Sequence, residues 1–300
     1  MSAPEHGGSD HSDQPIRFYF GIPLRARASA LNWTQVCDNL ARTLDSLARQ
    51  TRNDFRVLIS CHDIPDIDTR GLNVRFLQAG FAPPVDEQGK PRSDKHKKKR
   101  RLGHELAKEV TDGVYFMPLD ADDLIHPELV EKVLSDDNRR GYLIERGWMF
   151  NTATGHYREC TEKQNPFWRY CGSCAVIYFE PDELPLEKGD KSRYYSRFLN
   201  HIHYAEVAEA AGRPLAPFRD AMAVYVINHG ENDWTVYRQR PDGKTHYVEQ
   251  RPVRDRRQLQ ALKVLYPQLD AAIPPPRAWS WVCQQSRRLR RRLSRRSGHA

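Results

Sequence analysis

Asp120-Ala121-Asp122-Asp123 follows the apolar run Val114-Tyr115-Phe116-Met117-Pro118-Leu119. Three carboxylates at the end of a buried strand repel one another and cost free energy unless a cation neutralises them. In extended backbone Asp120 and Asp122 point to the same side. Such a pair suits one hard, oxygen-liganded cation, Mg2+ or Mn2+, of the kind that accompanies a diphosphate. The competing reading is a solvated turn in which Asp123 caps the next helix. A second cluster, Cys171-Gly-Ser-Cys174 with His156 and Cys160 upstream, has the ligand types of a zinc site. However, Cys174 opens the apolar run Ala175 to Phe179 and reads as an ordinary buried thiol. Six cysteines in 300 residues make no disulfide framework.

The elements that must position these acids alternate in type. Ile16 to Pro23 reads as a first strand, and Asn32 to Gln50 as a helix with Trp33, Val36, Leu40, Leu44 and Leu47 on one face. Phe55 to Ser60 and Val74 to Leu77 read as strands, Lys97 to Val110 as a helix with a basic first turn, and Gly113 to Leu119 as the strand that delivers the aspartates. Further on, a short helix is predicted over Pro127 to Leu134, strands over Gly141 to Phe150 and Cys174 to Phe179, and a helix over Arg193 to Ala211. A last strand, Asp220 to Asn228, leads into His229-Gly-Glu-Asn-Asp-Trp234. The alternation predicts an α/β architecture with a mainly parallel sheet, whose ligands bind beyond the carboxyl ends of the strands. Asp63 and Asp120 both stand at such ends.

Charge is unevenly placed. The net +8 is concentrated in Lys90 to Arg101 and in Gln284 to Ala300, each carrying +7, so the rest of the chain is mildly acidic. That pattern argues against nucleic acid as the main ligand, since a binder spreads its cations over one face. No apolar run is long enough for a membrane span. The polar residues 1–15 read as a loose lead-in, and the expected location is cytoplasmic.

Strand, helix ending in Gln50, strand ending in an acid, basic helix, then an apolar strand into Asp-Ala-Asp-Asp: this order resembles the family-2 inverting glycosyltransferases. Their fold is the Rossmann-like, A-type nucleotide-diphospho-sugar transferase fold. The resemblance covers residues 16 to about 235 and is most specific over Leu102 to Pro127. It implies transfer of a sugar from a nucleotide diphosphate to an acceptor hydroxyl, in cell-surface or envelope glycan synthesis. It implies Pro23 and Arg25 in a nucleotide-contacting loop and Asp63 at the base. Asp120 and Asp122 would lie at the ribose and the metal-bound diphosphate. Asp123 matches the motif's last acid, and His229 a late histidine that completes the metal site. Lys98 and Arg101 are the first choices for a second clamp on the phosphates, and Gly172 and Ser173 resemble the loop that floors the sugar pocket.

The sequence departs from the family where a carboxylate base is expected. Asn200-His201-Ile202-His203 holds no acid, and Asp190 is the nearest carboxylate upstream. The base is therefore His201, His203 or Asp190, or the chain is a non-catalytic member. Residues 236–276 form a polar extension. Residues 277–300 form a Trp- and Arg-rich tail that suits an anionic membrane surface on the inner face. Two other readings stay open: a nucleotidyltransferase, against which the glycine-poor Gly21-Ile-Pro-Leu-Arg25 counts, and a basic nucleic-acid-binding protein.

Overall fold

The computed structural model describes residues 17–187, 189–238 and 244–274. The expected lead-in over residues 1–15 and the Arg-rich tail over 277–300 lie outside the described residues. Strands and helices first alternate as predicted: β1 (Phe18–Pro23), α1 (Trp33–Ala48), β2 (Phe55–Cys61), β3 (Val74–Gln78), α2 (Lys95–Glu109) and β4 (Val114–Pro118). Then come β5 (Leu124–Ile125), α3 (Leu129–Asp136), β6 (Tyr142–Leu143), β7 (Gly147–Asn151), β8 (His156–Cys160) and β9 (Ala175–Phe179). The remaining elements are α4 (Tyr204–Ala210), β10 (Ala216–Pro217), β11 (Ala223–Ile227), α5 (Asp233–Arg238), α6 (Lys244–Gln250) and α7 (Arg256–Leu265).

The central sheet runs β10-β6-β9-β4-β1-β2-β3. β1 pairs in parallel with β2 and β4, and β2 with β3, whereas β9 lies antiparallel between β4 and β6. The fold is thus α/β, with a mostly parallel sheet flanked by helices. α1 starts where the Asn32 side chain accepts the Gln35 N–H at 3.2 Å, and it buries Val36, Leu40, Leu44 and Leu47. Each such side chain contributes about 1.5–3 kcal/mol when fully buried. The Gln50 amide fixes the exit of α1, donating to the His126 carbonyl at 2.8 Å and accepting the Val130 N–H at 3.0 Å. In β1, Gly21 lies under the Phe116 ring, where a Cβ would stand 2.2 Å from a ring carbon. The chain leaves β1 on one side for β2 and β3 and returns on the other for β4. Beyond the carboxyl ends of β1 and β4 lies the switch point where such sheets bind ligands.

A second sheet, β5-β11-β7-β8, packs against the first. Alternation along its strands divides two clusters. Trp148, Phe150, Val224 and Val226 meet Leu259, Leu262 and Tyr266, from α7 and the residue after it. Met149, Ala223, Tyr225 and Ile227 face the main core.

Three predicted elements are corrected. The strand expected over Gly141 to Phe150 is two strands in different sheets, because the chain crosses over at Glu145, whose carbonyl accepts the Phe167 N–H at 2.9 Å. The helix expected over Arg193 to Ala211 begins only at Tyr204. Upstream of it, Tyr194, Tyr195 and Phe198 pack around Phe179, and the Asn200 side chain accepts the Ile202 N–H, which favours a turn over a continuing helix. α3 starts at Leu129, after Pro127 rather than on it. No helix among the described residues is long and apolar enough to cross a membrane.

Candidate functional site

A cavity of about 230 Å³ opens at the β1–β4 switch point. Pro23 and Arg25 reach it from the end of β1, and Asp120, Ala121 and Asp122 from the end of β4. Segments distant in sequence close it: Gly172 after the Phe167–Arg169 turn, His201, and the turn from His229 to Asp233. Asn228 (φ 63°) and Gly230 (φ 91°) bracket His229 in the left-handed region and turn it back toward the strand ends.

The aspartates of the motif have three different environments. Both oxygens of Asp120 meet the Lys95 ammonium, at 2.7 and 2.8 Å, while the Asp120 backbone N–H donates to Ser173 Oγ at 2.9 Å. Burial opposes the charge on Lys95, but Asp120, with help from Asp233 and Asp122, holds it well above its ordinary pKa. Burial likewise opposes the charge on Asp120, yet Lys95 and Lys99 hold its pKa below the usual value. Asp122 Oδ2 lies 2.8 Å from His229 Nε2. His229 Nδ1 in turn meets Asn39 Nδ2 at 2.8 Å and the Glu231 N–H at 3.3 Å, and Asn232 Nδ2 stands 2.8 Å from Nε2.

Asp123 is fully buried. Its carboxylate accepts from Ser173 Oγ at 2.6 Å, Cys171 Sγ at 3.0 Å and the Val226 N–H at 3.3 Å. Burial, then the neighbouring Asp122 and Asp120, push its pKa well above the carboxylate range. The expectation that Asp123 ligates a metal is corrected by this enclosure: its oxygens point into the protein. Ser173 is buried as well, and it joins Asp123 to the Asp120 backbone rather than flooring the cavity. Gly172 does line it, so close to Asp120 that a Cβ would stand 2.8 Å from Oδ2. The CxxC thiols are buried and free, with Cys171 donating to Asp123.

Of the expected phosphate clamps, neither reaches the cavity. Lys98 is buried, donating to the Leu24 carbonyl at 2.6 Å and pairing with Asp94 at 2.8 Å. Arg101 pairs with Glu105 at 3.2 Å. Helical spacing turns Lys95, Lys98 and Lys99 to one face, and only Lys95 opens on the cavity. Lys99 straddles the His201 turn, donating to the Leu199 carbonyl at 3.0 Å and Tyr204 OH at 2.9 Å. Asp63 accepts the Arg27 N–H at 2.9 Å and does not line the cavity. Arg25 does, engaged with Tyr237 OH at 2.8 Å, the Glu231 carbonyl at 3.0 Å and Asp233 at 2.7 Å.

Among the three base candidates, only His201 lines the cavity. Burial lowers its pKa to about 4; Asp120 opposes the shift, and Lys95, Lys99 and Lys244 add to it. His203 is exposed and pairs with Glu206 at 2.9 Å, and Asp190 binds Ser192 and Arg193 away from the cavity. Asn39 was not expected at the site. Its signal is a polar residue on the apolar face of α1, between Val36 and Leu40.

Asp122 and His229 present an oxygen and a nitrogen close enough for one ion with bonds of about 2.1 Å. Among the described residues there is no group of three or more such side chains. A divalent ion here would therefore take its other ligands from phosphate and water, as Mg2+ commonly does.

No protein-family model matches the sequence, and no curated protein is detectably similar to it. Among solved structures, it is similar to TarS of S. aureus, with 11% identity over 71% of this chain and 37% of that one, at a TM-score of 0.38. It is similar to the glycosyltransferase GlyE of Streptococcus pneumoniae TIGR4, in its apo form, with 11% identity over 73% of this chain and 57% of that one, at a TM-score of 0.33. The Rv0371C complex with manganese from Mycobacterium tuberculosis H37Rv shares 9% identity over 75% of this chain and 98% of that one, at a TM-score of 0.30. The chain thus spans about a third of TarS and just over half of GlyE. At TM-scores this low the likenesses decide neither fold nor function.

Proposed function

We propose that this chain is an inverting glycosyltransferase that moves a sugar from a nucleotide diphosphate to an acceptor hydroxyl. The observation that supports this best is one cavity at the β1–β4 switch point. It gathers Asp120 and Asp122 from a strand end with His201 and His229 from two distant turns. In this reading Pro23 and Arg25 flank the nucleotide, and Asp120 and Asp122 face the ribose and diphosphate. Asp122 and His229 would hold Mn2+ or Mg2+, whose charge would offset that of the leaving diphosphate. Gly172 lets the sugar approach the backbone beside Asp120.

His201 takes the acceptor proton. The acceptor oxygen bonds to the anomeric carbon as the bond from that carbon to the diphosphate oxygen breaks on the opposite face, which inverts the centre. With its pKa lowered to about 4, His201 is neutral at pH 7 and able to accept a proton. It is a weak base, so it serves a hydroxyl already losing its proton as the new bond forms. The basic segment of α2 does not favour nucleic acid, because Lys98 and Lys99 are buried.

The test is a titration with UDP, GDP, CDP and ADP, with and without Mn2+, on the wild type and Asp122→Ala. Binding of one diphosphate that Mn2+ strengthens is expected, with the strengthening lost in the variant. No binding of any nucleotide overturns the reading.

A further inference from the structure

We propose that Lys95 is the protein's own cation for the donor diphosphate. It is shared between Asp120 and the phosphates, so that part of the diphosphate affinity needs no metal. The inference rests on the donor reading above and adds a residue that the motif does not contain.

The starting point is which cations can reach a phosphate in this cavity. Among the described residues, three cationic side chains other than histidine line it: Arg25, Lys95 and Lys244. Arg25 is held on several sides, by Tyr237 OH, the Glu231 carbonyl, Asp233 and, at 3.5 Å, the Glu231 carboxylate. Moving it would break the contacts that hold the 229–237 segment. Lys244 donates to Tyr225 OH at 2.6 Å and to the Tyr170 carbonyl at 3.3 Å. Lys95 meets one carboxylate, Asp120, through its tip, and 29% of its side chain is exposed against 11% for Arg25.

The surroundings of Lys95 fix its base and leave its tip adaptable. Lys98 ties α2 to the end of β1 through the Leu24 carbonyl, and Lys99 ties it to the 199–204 turn. Buried lysines are costly unless fully hydrogen-bonded. Here they anchor the helix whose first turn carries Lys95. Across from it, the Asp120 backbone N–H is anchored by Ser173 Oγ and its carboxylate lies against Gly172. A short side chain on anchored backbone facing a long, flexible ammonium stem makes Lys95 the partner that moves. An ammonium has three donors, so it can keep one Asp120 oxygen and give the others to phosphate oxygens. The leaving diphosphate then meets a resident positive charge beside Asp120, in addition to any ion at Asp122 and His229.

The experiment is calorimetric titration in EDTA. The diphosphate that binds the wild type is compared with its monophosphate, on wild type, Lys95→Ala, Lys95→Arg and the exposed control Lys97→Ala. Thermal melts verify that each variant folds. The wild type is expected to prefer the diphosphate in EDTA. Lys95→Ala should erase that preference, weakening diphosphate binding about ten- to a hundredfold while leaving the monophosphate within about twofold. Lys95→Arg should retain most of the preference even if the alanine variant melts early, and Lys97→Ala should match the wild type. A folded Lys95→Ala that keeps the wild-type preference in EDTA overturns the proposal while the donor reading stands. A wild type that binds no diphosphate, with or without Mn2+, overturns both.

Discussion

The two walls of the cavity are built differently. The wall formed by the ends of β1 and β4 is held by strand register: Gly21 opposite Pro118, and Pro23 opposite Ser60 on the other flank. The wall formed by Gly172, His201 and His229 comes from turns and is held by single side chains. Lys99 braces the His201 turn, Asn39 braces the His229 ring, and Asn228 and Asn232 close the turn between them through a 2.9 Å hydrogen bond. A wall set by many backbone bonds tolerates the loss of one side chain's support. A wall set by a few side-chain bonds moves when one is removed. In the proposed function the first wall carries the acids that face the donor and the second carries the base, so damage to each should read out differently.

The largest expected effect falls on the turn wall. His201→Ala should lower kcat by about 10²–10⁴, the range for a lost general base, while the donor Kd stays near wild type. His203→Ala and Asp190→Asn should leave kcat within about twofold, because neither residue lines the cavity. Steady-state rates together with a donor titration check this. Equal losses for His201 and His203 would break the distinction between a cavity histidine and a solvent histidine.

Asp123 sharpens the comparison, since it joins the walls from behind. Its carboxylate binds Ser173, Cys171 and the Val226 N–H at once. Asp123→Ala would leave those groups unpaired in the core, and a loss of roughly 2–4 kcal/mol is expected. Asp123→Asn keeps the shape and one acceptor, so its loss should be at most about half as large. Urea unfolding of the two variants gives the difference. Equal stability of Asp123→Ala and the wild type would mean the enclosure contributes nothing.

How much of this was legible in the sequence follows the same division. The parallel half was readable because period and composition coincide there. Val36, Leu40, Leu44 and Leu47 have helical spacing, and the apolar run into Asp120 reads as a buried strand end. The turn wall was not readable, because its positions depend on contacts between distant residues. Nothing local to Asn200-His201-Ile202-His203 says that Lys99 holds the turn that places His201 in the cavity while His203 faces solvent. Likewise, Asp122 and Asp123 are identical side chains in adjacent positions. Only the approach of Ser173, Cys171 and β11 separates a cavity acid from a structural one. Lys98 and Lys95 were equally basic in sequence, and it is helix phase against the β1 end that buries one and opens the other.

Gly172→Ala probes where the walls touch. No positive φ is required there, so the strain is local: the new methyl would lie 2.8 Å from Asp120 Oδ2. The carboxylate must shift, and Lys95 with it. Donor affinity should fall roughly tenfold, the scale of a sub-ångström misplacement of a binding group, with stability changed by less than about 1 kcal/mol. A donor titration and a melt separate the two. Unchanged donor affinity would argue that the ligand does not depend on the Asp120 position.

The smallest and most specific expectation is a shape, not a loss. An unburied histidine base would impose an acid limb near pH 6.5. His201 is lowered to about 4 by burial, which Asp120 opposes and Lys95, Lys99 and Lys244 assist, so the acid limb of kcat/KM should lie near pH 4 or be hidden by acid unfolding. The same shift acts on stability, and its sign follows from proton uptake. Between pH 6.5 and about 4 the unfolded chain binds the proton and the folded chain does not. The His201 contribution is therefore complete above pH 6.5 and is lost progressively as pH falls through that window. His201→Ala should flatten the pH dependence of stability over that interval. Removing a nearby cation should move the limb the other way: Lys95→Ala takes one positive charge from beside His201 and should shift the acid limb of any residual activity upward. A limb that stays at pH 6.5 in the wild type would mean that His201 meets solvent during turnover, and that the turn wall opens as the acceptor binds.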